Sequence, residues 1–455
     1  MNRRNFLKAG GIPLGIPLLA GLGGVSMLSG LSDSLAASTG DYKALICLFL
    51  NGGNDGHNTL IPTDAAYTDY SNARPILALP KDSLIRLDGN SAGHSYGLHP
   101  GLSPLAALYN KKRLAWIANA GLLIVPSTGE QVINHSVPIP PFLQSHSDAT
   151  ALQQGWDGDS DLSGWAGRTL EQLPSGLSNR LNAVTMSNNR TFVLGRKSSV
   201  SFMSPFGARY WGRADLAQPQ SYWSQSLNNM ARSQFANQYE AEYARTFNES
   251  VSESTILTQV FLAAKPPTAN FGTDDLASKL SALASVMPVF KSMGYRRQIF
   301  LVEWGGFDTH YGQRGNDSRT QDAQLDIVGR AVAAFDQANI AAGMDLNVTT
   351  LMLSEFGRTL RPASGAGSDH AWGNNWFVLG GAVAGGQVIG QLPSYILGGV
   401  DDADPGRGGR MVPSTSTDQV GATVMQWLGL PTNQLNTVFP NLVNFPKKNL
   451  NFMHS

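Results

Sequence analysis

The chain has 455 residues, with 33 basic and 33 acidic side chains and a single cysteine. Charged residues make up 15% of it, below the roughly 25% of an average soluble domain. This balance argues against a nucleic-acid-binding protein, which needs a basic excess to neutralise phosphates. A hydrophobic share of 42% supports a sizeable core and excludes disorder as the main state. One cysteine excludes an intramolecular disulfide and a cysteine-rich zinc site, so any metal must be held by His, Asp, Glu or Asn.

The chain opens on Arg3-Arg4-Asn5-Phe6-Leu7-Lys8, continues uncharged from Ala9 to Ser32, and reaches small residues at Ala36-Ala37. A basic, then apolar, then small-residue order is that of a secretory signal, and the paired arginine resembles a twin-arginine (Tat) signal. The predicted partner in export is the Tat translocase, and the predicted location is periplasmic or extracellular. A permanent anchor is the alternative, since the stretch is long enough to span a bilayer. Its glycines, with Pro13 and Pro17, weaken it as a stable helix. No stable transmembrane segment is expected once residues 1–37 are removed. Their removal takes Arg3, Arg4, Lys8 and Asp33, leaving 30 basic against 32 acidic side chains.

Ala44–Leu50 is a continuous apolar run ending in Asn51-Gly52-Gly53-Asn54-Asp55-Gly56, which reads as a strand buried on both faces. Leu102–Asn110 reads as a helix, Arg113–Ala118 as a strand, and Asn182–Met186 as a weaker one. Residues 217–295 are rich in Gln, Asn, Ser and Ala and read as a helical insertion. Gln298–Trp304 and Asn347–Leu353 are strong strands, and Thr320–Ala342 between them has apolar residues at helical spacing. Trp376–Leu379 is a short strand. Alternation of this kind predicts an α/β domain with a mainly parallel sheet. One domain over 38–440 and a tail over 441–455 are expected.

Ligands of open parallel sheets bind outside the carboxyl ends of the strands, and the polar clusters of this chain fall there. Asp55, with His57 nearby, follows the first strand. Asp308 and His310 follow Gln298–Trp304, and Glu355 and Arg358 follow Asn347–Leu353. Asp369 and His370 come next. Residues two apart on an extended segment project to one side, so Asp308 and His310 can face one ion. Asp369 and His370 are adjacent and converge only in a turn, which Gly365, Gly367 and Gly373 permit. Carboxylates with neutral imidazoles suit a divalent metal, zinc or manganese, rather than an alkali ion. Hydrogen bonding of such groups to the local backbone is the competing account. For Glu355 the competitor is a buried pair with Arg358. Ser145 and His146 stand at a second cluster that leads into a helix. A hydroxyl at a helix start is placed to attack an anionic centre or, equally, to act as an N-cap.

Asn51–Gly56, Ser145-His146, Glu303–His310, Ser354–Arg358 and Asp369–Asn374 together resemble an uncharacterised, usually Tat-exported bacterial family, domain of unknown function fifteen-hundred-and-one. That family is grouped with the alkaline-phosphatase-like and sulfatase-like superfamily, and the resemblance runs from Leu45 to about Leu430. It implies a three-layer α/β/α sandwich and a one- or two-metal site acting on a small anionic ester. By the superfamily's pattern, Asp55 (or Asn51), Asp308, His310 and His370 match metal ligands, and the strand-end clusters add Glu355 and Asp369 as further ligands. Ser145 is the best match to the nucleophile, with His146 assisting it or serving as a base, a metal ligand or an orienting group, and the guanidinium of Arg358 suits the anion. Glu355-Phe356 stands where the superfamily has an Asp-His pair, so one imidazole ligand is missing. A formylglycine sulfatase is not expected, because neither Cys47 nor any serine lies in a C/S-x-P-x-R context. The expected function is hydrolysis of a phosphate or related ester in the cell envelope. The alternative is a non-catalytic exported binding or assembly protein on the same scaffold.

Overall fold

A computed structural model describes residues 41–155, 163–208, 221–233 and 235–454. The segment 1–37, expected to be an export signal, lies outside the described residues. So does the start of the 217–295 segment.

The first strand, β1 (Lys43–Leu50), is buried almost throughout because it runs through the middle of a ten-stranded sheet. A small three-stranded sheet holds β2 (Leu60–Pro62), β3 (Ile85–Arg86) and β4 (Tyr96–Leu98). The main sheet adds β5 (Leu114–Gly121), β6 (Ala183–Thr185), β7 (Ser201–Ser204), β8 (Gly207–Ala208), β9 (Arg297–Trp304), β10 (Val348–Ser354), β11 (Asn374–Leu379), β12 (Val388–Ile389) and β13 (Thr415–Ser416). Its order is β12-β5-β11-β10-β1-β9-β6-β7-β8, with β13 on β5. β1 lies parallel to both β9 and β10, while β11 runs antiparallel between β10 and β5. Central parallel strands buried on both faces explain why these segments read as unbroken apolar runs rather than alternating ones.

The helices are α1 (Ala66–Ala73), α2 (Ser103–Asn110), α3 (Gly129–Ile133), α4 (His146–Gly155), α5 (Trp165–Gln172), α6 (Tyr222–Arg232), α7 (Gln238–Ala263), α8 (Asp275–Ser292), α9 (Gln321–Ala341), α10 (Thr417–Leu428) and α11 (Leu435–Val438). α9 packs with α2 and α8 in one group, and α10 and α11 with α5 in the other. Helices flank the sheet, so the architecture is the α/β/α sandwich expected. Among the described residues no helix is long and apolar enough to cross a membrane.

Two expectations change. The 217–295 segment is not one insertion: α8 buries Leu276, Leu280, Leu283, Met287 and Phe290 in the main core against α9 and β9. Within its described residues, the first part of α7 stands away from the core, with Tyr239 and Tyr243 exposed. The C-terminal segment is not a loose tail either. Phe445, Leu450 and Phe452 are buried, and the His454 N–H donates to the Ala382 carbonyl.

Register places the site. Leu50 of β1 stands level with Trp304 of β9 and Ser354 of β10. The turns that follow these three strands therefore leave the sheet side by side. β11 is antiparallel, so the segment that precedes it, residues 369–373, arrives at the same edge.

Candidate metal centre

Three imidazoles and one carboxylate converge above the ends of β1, β9 and β10. His310 Nε2 is 3.2 Å and His370 Nε2 3.4 Å from Asp308 Oδ1, and His146 Nε2 is 3.5 Å from Asp308 Oδ2. The two Nε2 atoms of His310 and His370 are 3.0 Å apart. Ligand atoms of His146, Asp308 and His370 all lie within 4.8 Å of one another.

The far side of each ring explains the arrangement. His146 Nδ1 lies 2.9 Å from Glu355 Oε1, and His310 Nδ1 3.0 Å from Asp369 Oδ1. His370 Nδ1 lies 2.7 Å from the Gln144 carbonyl. All three partners are acceptors, so each Nδ1 is assigned the ring proton, which leaves each Nε2 with a bare lone pair. Two lone pairs facing each other at 3.0 Å repel unless something positive lies between them. Outer carboxylates and carbonyls that fix ring orientation are the usual support of metal-ligating histidines. The donor set therefore fits a divalent cation.

Electrostatics agree. Burial pushes the Asp308 carboxyl up, but the Arg358 guanidinium that donates to it outweighs this and holds it below its ordinary value. Burial lowers the His370 imidazole, and the Arg358 charge lowers it further against the opposing bond to the Gln144 carbonyl. An ionised carboxylate and a neutral imidazole are the forms that bind metal.

The sequence expectations divide at this point. Asp308, His310 and His370 come together as expected, and His146 joins them, in the position of a ligand among the roles open to it rather than of an assistant to Ser145. It supplies the imidazole that the Glu355-Phe356 pair lacks. Glu355 and Asp369 do not face the centre as ligands; each orients a histidine from behind. Glu355 is buried and accepts from the Gly52 N–H, from Thr150 Oγ1 at 2.6 Å and from His146, which offsets its desolvation without Arg358. Gly52 is required there: its φ is +107°, and a Cβ would run into the Asp308 backbone.

Three expectations are corrected. Asp55 does not join the cluster. It is buried in an ion pair with Arg74, accepts from Gln313 Nε2 at 2.6 Å, and caps the short helix that contains His57. Arg358 cannot bind a substrate anion as it stands, because its side chain is fully buried and donates to the Gly52, Gly53, Phe307 and Ser368 carbonyls as well as to Asp308. Its work is to hold three strand-end turns together. Ser145 precedes the first residue of α4, accepts from the Asp148 N–H at 3.5 Å and lies 3.4 Å from Ser147 Oγ, the position of an N-cap.

A cleft of about 440 Å³ opens beside the centre, shared with it through His146 and lined also by Glu355, Asn51, Gly52, Ser147, Thr150, Ala151, Asn189 and Thr191. Asn189 and Thr191 were not singled out from the sequence. The signal available was the polar run Ser187–Thr191, which follows the weak strand Asn182–Met186 much as the other clusters follow theirs.

Fold and site define an α/β protein with a candidate three-histidine metal centre at the carboxyl edge of its sheet. The chain belongs to the family described as "Protein of unknown function (DUF1501)", whose model matches residues 42–405. No curated protein matches it. Similar solved structures include a lipoteichoic acid synthase from Listeria monocytogenes, at 9% identity and TM-score 0.36, covering 91% of this chain and 81% of that one. A sulfatase from Pseudoalteromonas sp. matches at 11% identity and TM-score 0.32, with 90% and 76% covered. A phosphonate monoester hydrolase from Silicibacter pomeroyi matches at 9% and 0.30, with 86% and 74% covered. The chemistry of this site rests on its own geometry.

Proposed function

We propose that this protein is a metal-dependent hydrolase of phosphate or related anionic esters, exported to the cell envelope by the Tat pathway. One observation carries the reading: three imidazoles, each tied at Nδ1 to an acceptor, aim bare Nε2 atoms at Asp308. His146, His310, His370 and Asp308 would hold the cation. Bound there, zinc or manganese would polarise the ester oxygens and offset charge as the bond breaks. The chain's own residues prepare this. Glu355 and Asp369 hold the Nδ1 protons of His146 and His310, and Arg358 keeps Asp308 ionised. The Thr150 hydroxyl fixes Glu355, and the cleft receives the rest of the ester.

A second reading, a scaffold that holds metal without turnover, draws support from two side chains. Ser145 is placed as a helix cap, and Arg358 has no N–H turned to the cleft.

The test starts with elemental analysis of protein purified without chelator, which should find about one divalent metal per chain. Chelator should lower the thermal midpoint. Asp308→Ala and His370→Ala should each lose the metal and any turnover of phosphomonoesters, phosphodiesters or sulfate esters. A metal-free protein with unchanged stability in chelator overturns both readings, and metal without turnover leaves the second.

A further inference from the structure

Beside the imidazole centre the cleft is lined by hydroxyls and amides with Gly52 and Ala151 between them, and among the described residues by neither lysine nor arginine. Some of these groups are already engaged. Thr150 Oγ1 donates to Glu355. The Asn189 amide donates to Gln154 Oε1 and Glu303 Oε1, at 2.9 and 3.0 Å, and its oxygen accepts from the Thr191 N–H at 2.9 Å. These two side chains form fixed wall. Others keep their capacity. The Asn51 amide and the Thr191 hydroxyl have no hydrogen-bond partner among the described residues, and Ser147 Oγ has only the 3.4 Å contact with Ser145. Amides and hydroxyls both donate and accept.

This pattern selects among ligand classes. A second anionic group would lose its water with no cation on the walls to replace it. An alkyl group would cover Asn51 and Thr191 and leave them unsatisfied. A neutral hydroxyl group matches them, since each of its hydroxyls also donates and accepts. A volume of about 440 Å³ falls within the roughly 300–1,000 Å³ of small-molecule sites. We infer that the cleft binds an uncharged, hydroxyl-bearing alcohol moiety, a polyol or sugar, with the anionic end of the ester at the imidazole centre. This rests on the hydrolase reading for its second half; the cleft's preference stands apart from it.

The experiment has two arms on metal-loaded, full-length protein. The first compares glycerol 3-phosphate, propyl phosphate and 3-phosphoglycerate, with glyceryl and propyl sulfate beside them. One well-made hydrogen bond of about 1.4 kcal/mol is tenfold, so kcat/KM for the glyceryl ester should exceed that of the propyl ester at least tenfold. In Asn51→Ala and Thr191→Val the ratio should fall below threefold, mainly through KM. The second arm needs no turnover: saturation-transfer NMR with sorbitol and methyl glucoside should show binding that the double variant loses, its fold being checked by circular dichroism. Equal turnover of glyceryl and propyl esters, preference for 3-phosphoglycerate, or polyol binding that persists in the double variant would overturn the inference. Absence of turnover with every ester sinks the hydrolase reading instead, and the NMR arm then decides the cleft alone.

Discussion

Two polar clusters sit at the same edge of the sheet, and the segment after β9 contributes to both, with Asp308 and His310 in one and Gln313 in the other. The upper one gathers His146, Asp308, His310 and His370, with Glu355 and Asp369 behind. The lower one holds Asp55, Arg74, Gln313 and Gln321. In the lower cluster Asp55 is matched by a guanidinium and an amide, Arg74 also donates to the Thr359 and Leu360 carbonyls, and Gln321 donates to the Asp55 carbonyl. It is closed and buried, and its chemistry ends in cohesion. In the upper cluster the acceptors stand behind the rings while bare nitrogens and a carboxylate face one another. Aspartate occurs in both, but histidines accompany it in the upper cluster and arginine and glutamine in the lower one. What separates them is that the donors enclose Asp55, whereas Asp308, although it accepts from Arg358, also faces imidazole nitrogens that carry no proton, and this is the physical difference between a structural ion pair and a site.

The largest expected effect lies in the lower cluster. Removing one partner of a buried ion pair costs about 3–5 kcal/mol, so Asp55→Ala should lose that much in denaturant unfolding. A loss below about 1 kcal/mol would place Asp55 among weak surface-type pairs and erase the comparison.

His57, next to that pair, gives a pH signature. Burial, then the Arg74 charge, lower its imidazole to about 4. The unfolded chain takes up a proton below about 6.5 while the folded chain resists it. The contribution is therefore complete above pH 6.5 and is lost as pH falls toward 4, about 3 kcal/mol in all. Unfolding free energies measured from pH 7 to 4.5 should fall for the native chain and fall less steeply in His57→Gln. Parallel slopes would remove His57 as the cause.

In the upper cluster, Glu355→Gln leaves an amide where His146 needs a carboxylate. Loss of such an outer partner weakens metal affinity roughly 10–100-fold, which competition with a chelating dye would measure. Undiminished affinity would mean that Glu355 does not orient His146. The smallest effect is expected at Ser145. As a cap its replacement by Ala costs about 0.5–2 kcal/mol and spares metal content. Lost turnover at full metal content would restore Ser145 as the nucleophile.

Much was legible in the sequence. The strands β1, β9 and β10 and the helix α9 stood out by period and by apolar content. The clusters after them pointed to one edge, as the parallel-sheet rule requires. Asp308, His310 and His370 were found this way because short polar motifs at strand ends carry their own signal. The roles of Asp55, Glu355, Asp369 and Arg358 were not legible, because each depends on a partner the local sequence does not contain. His146 and Glu355 are 209 residues apart, and His310 and Asp369 are 59 apart.

The amino-acid sequence alone thus determined the layers, the edge at which chemistry gathers and the kinds of groups present there, because periodicity and residue chemistry are local properties. The tertiary structure alone decided which carboxylate meets an arginine, which stands behind a histidine and which faces the open centre. Those choices follow from strand register and from the burial of partners distant in the chain. The lone cysteine shows the same division: composition excluded a disulfide, and the fold placed Cys47 in the buried middle of β1.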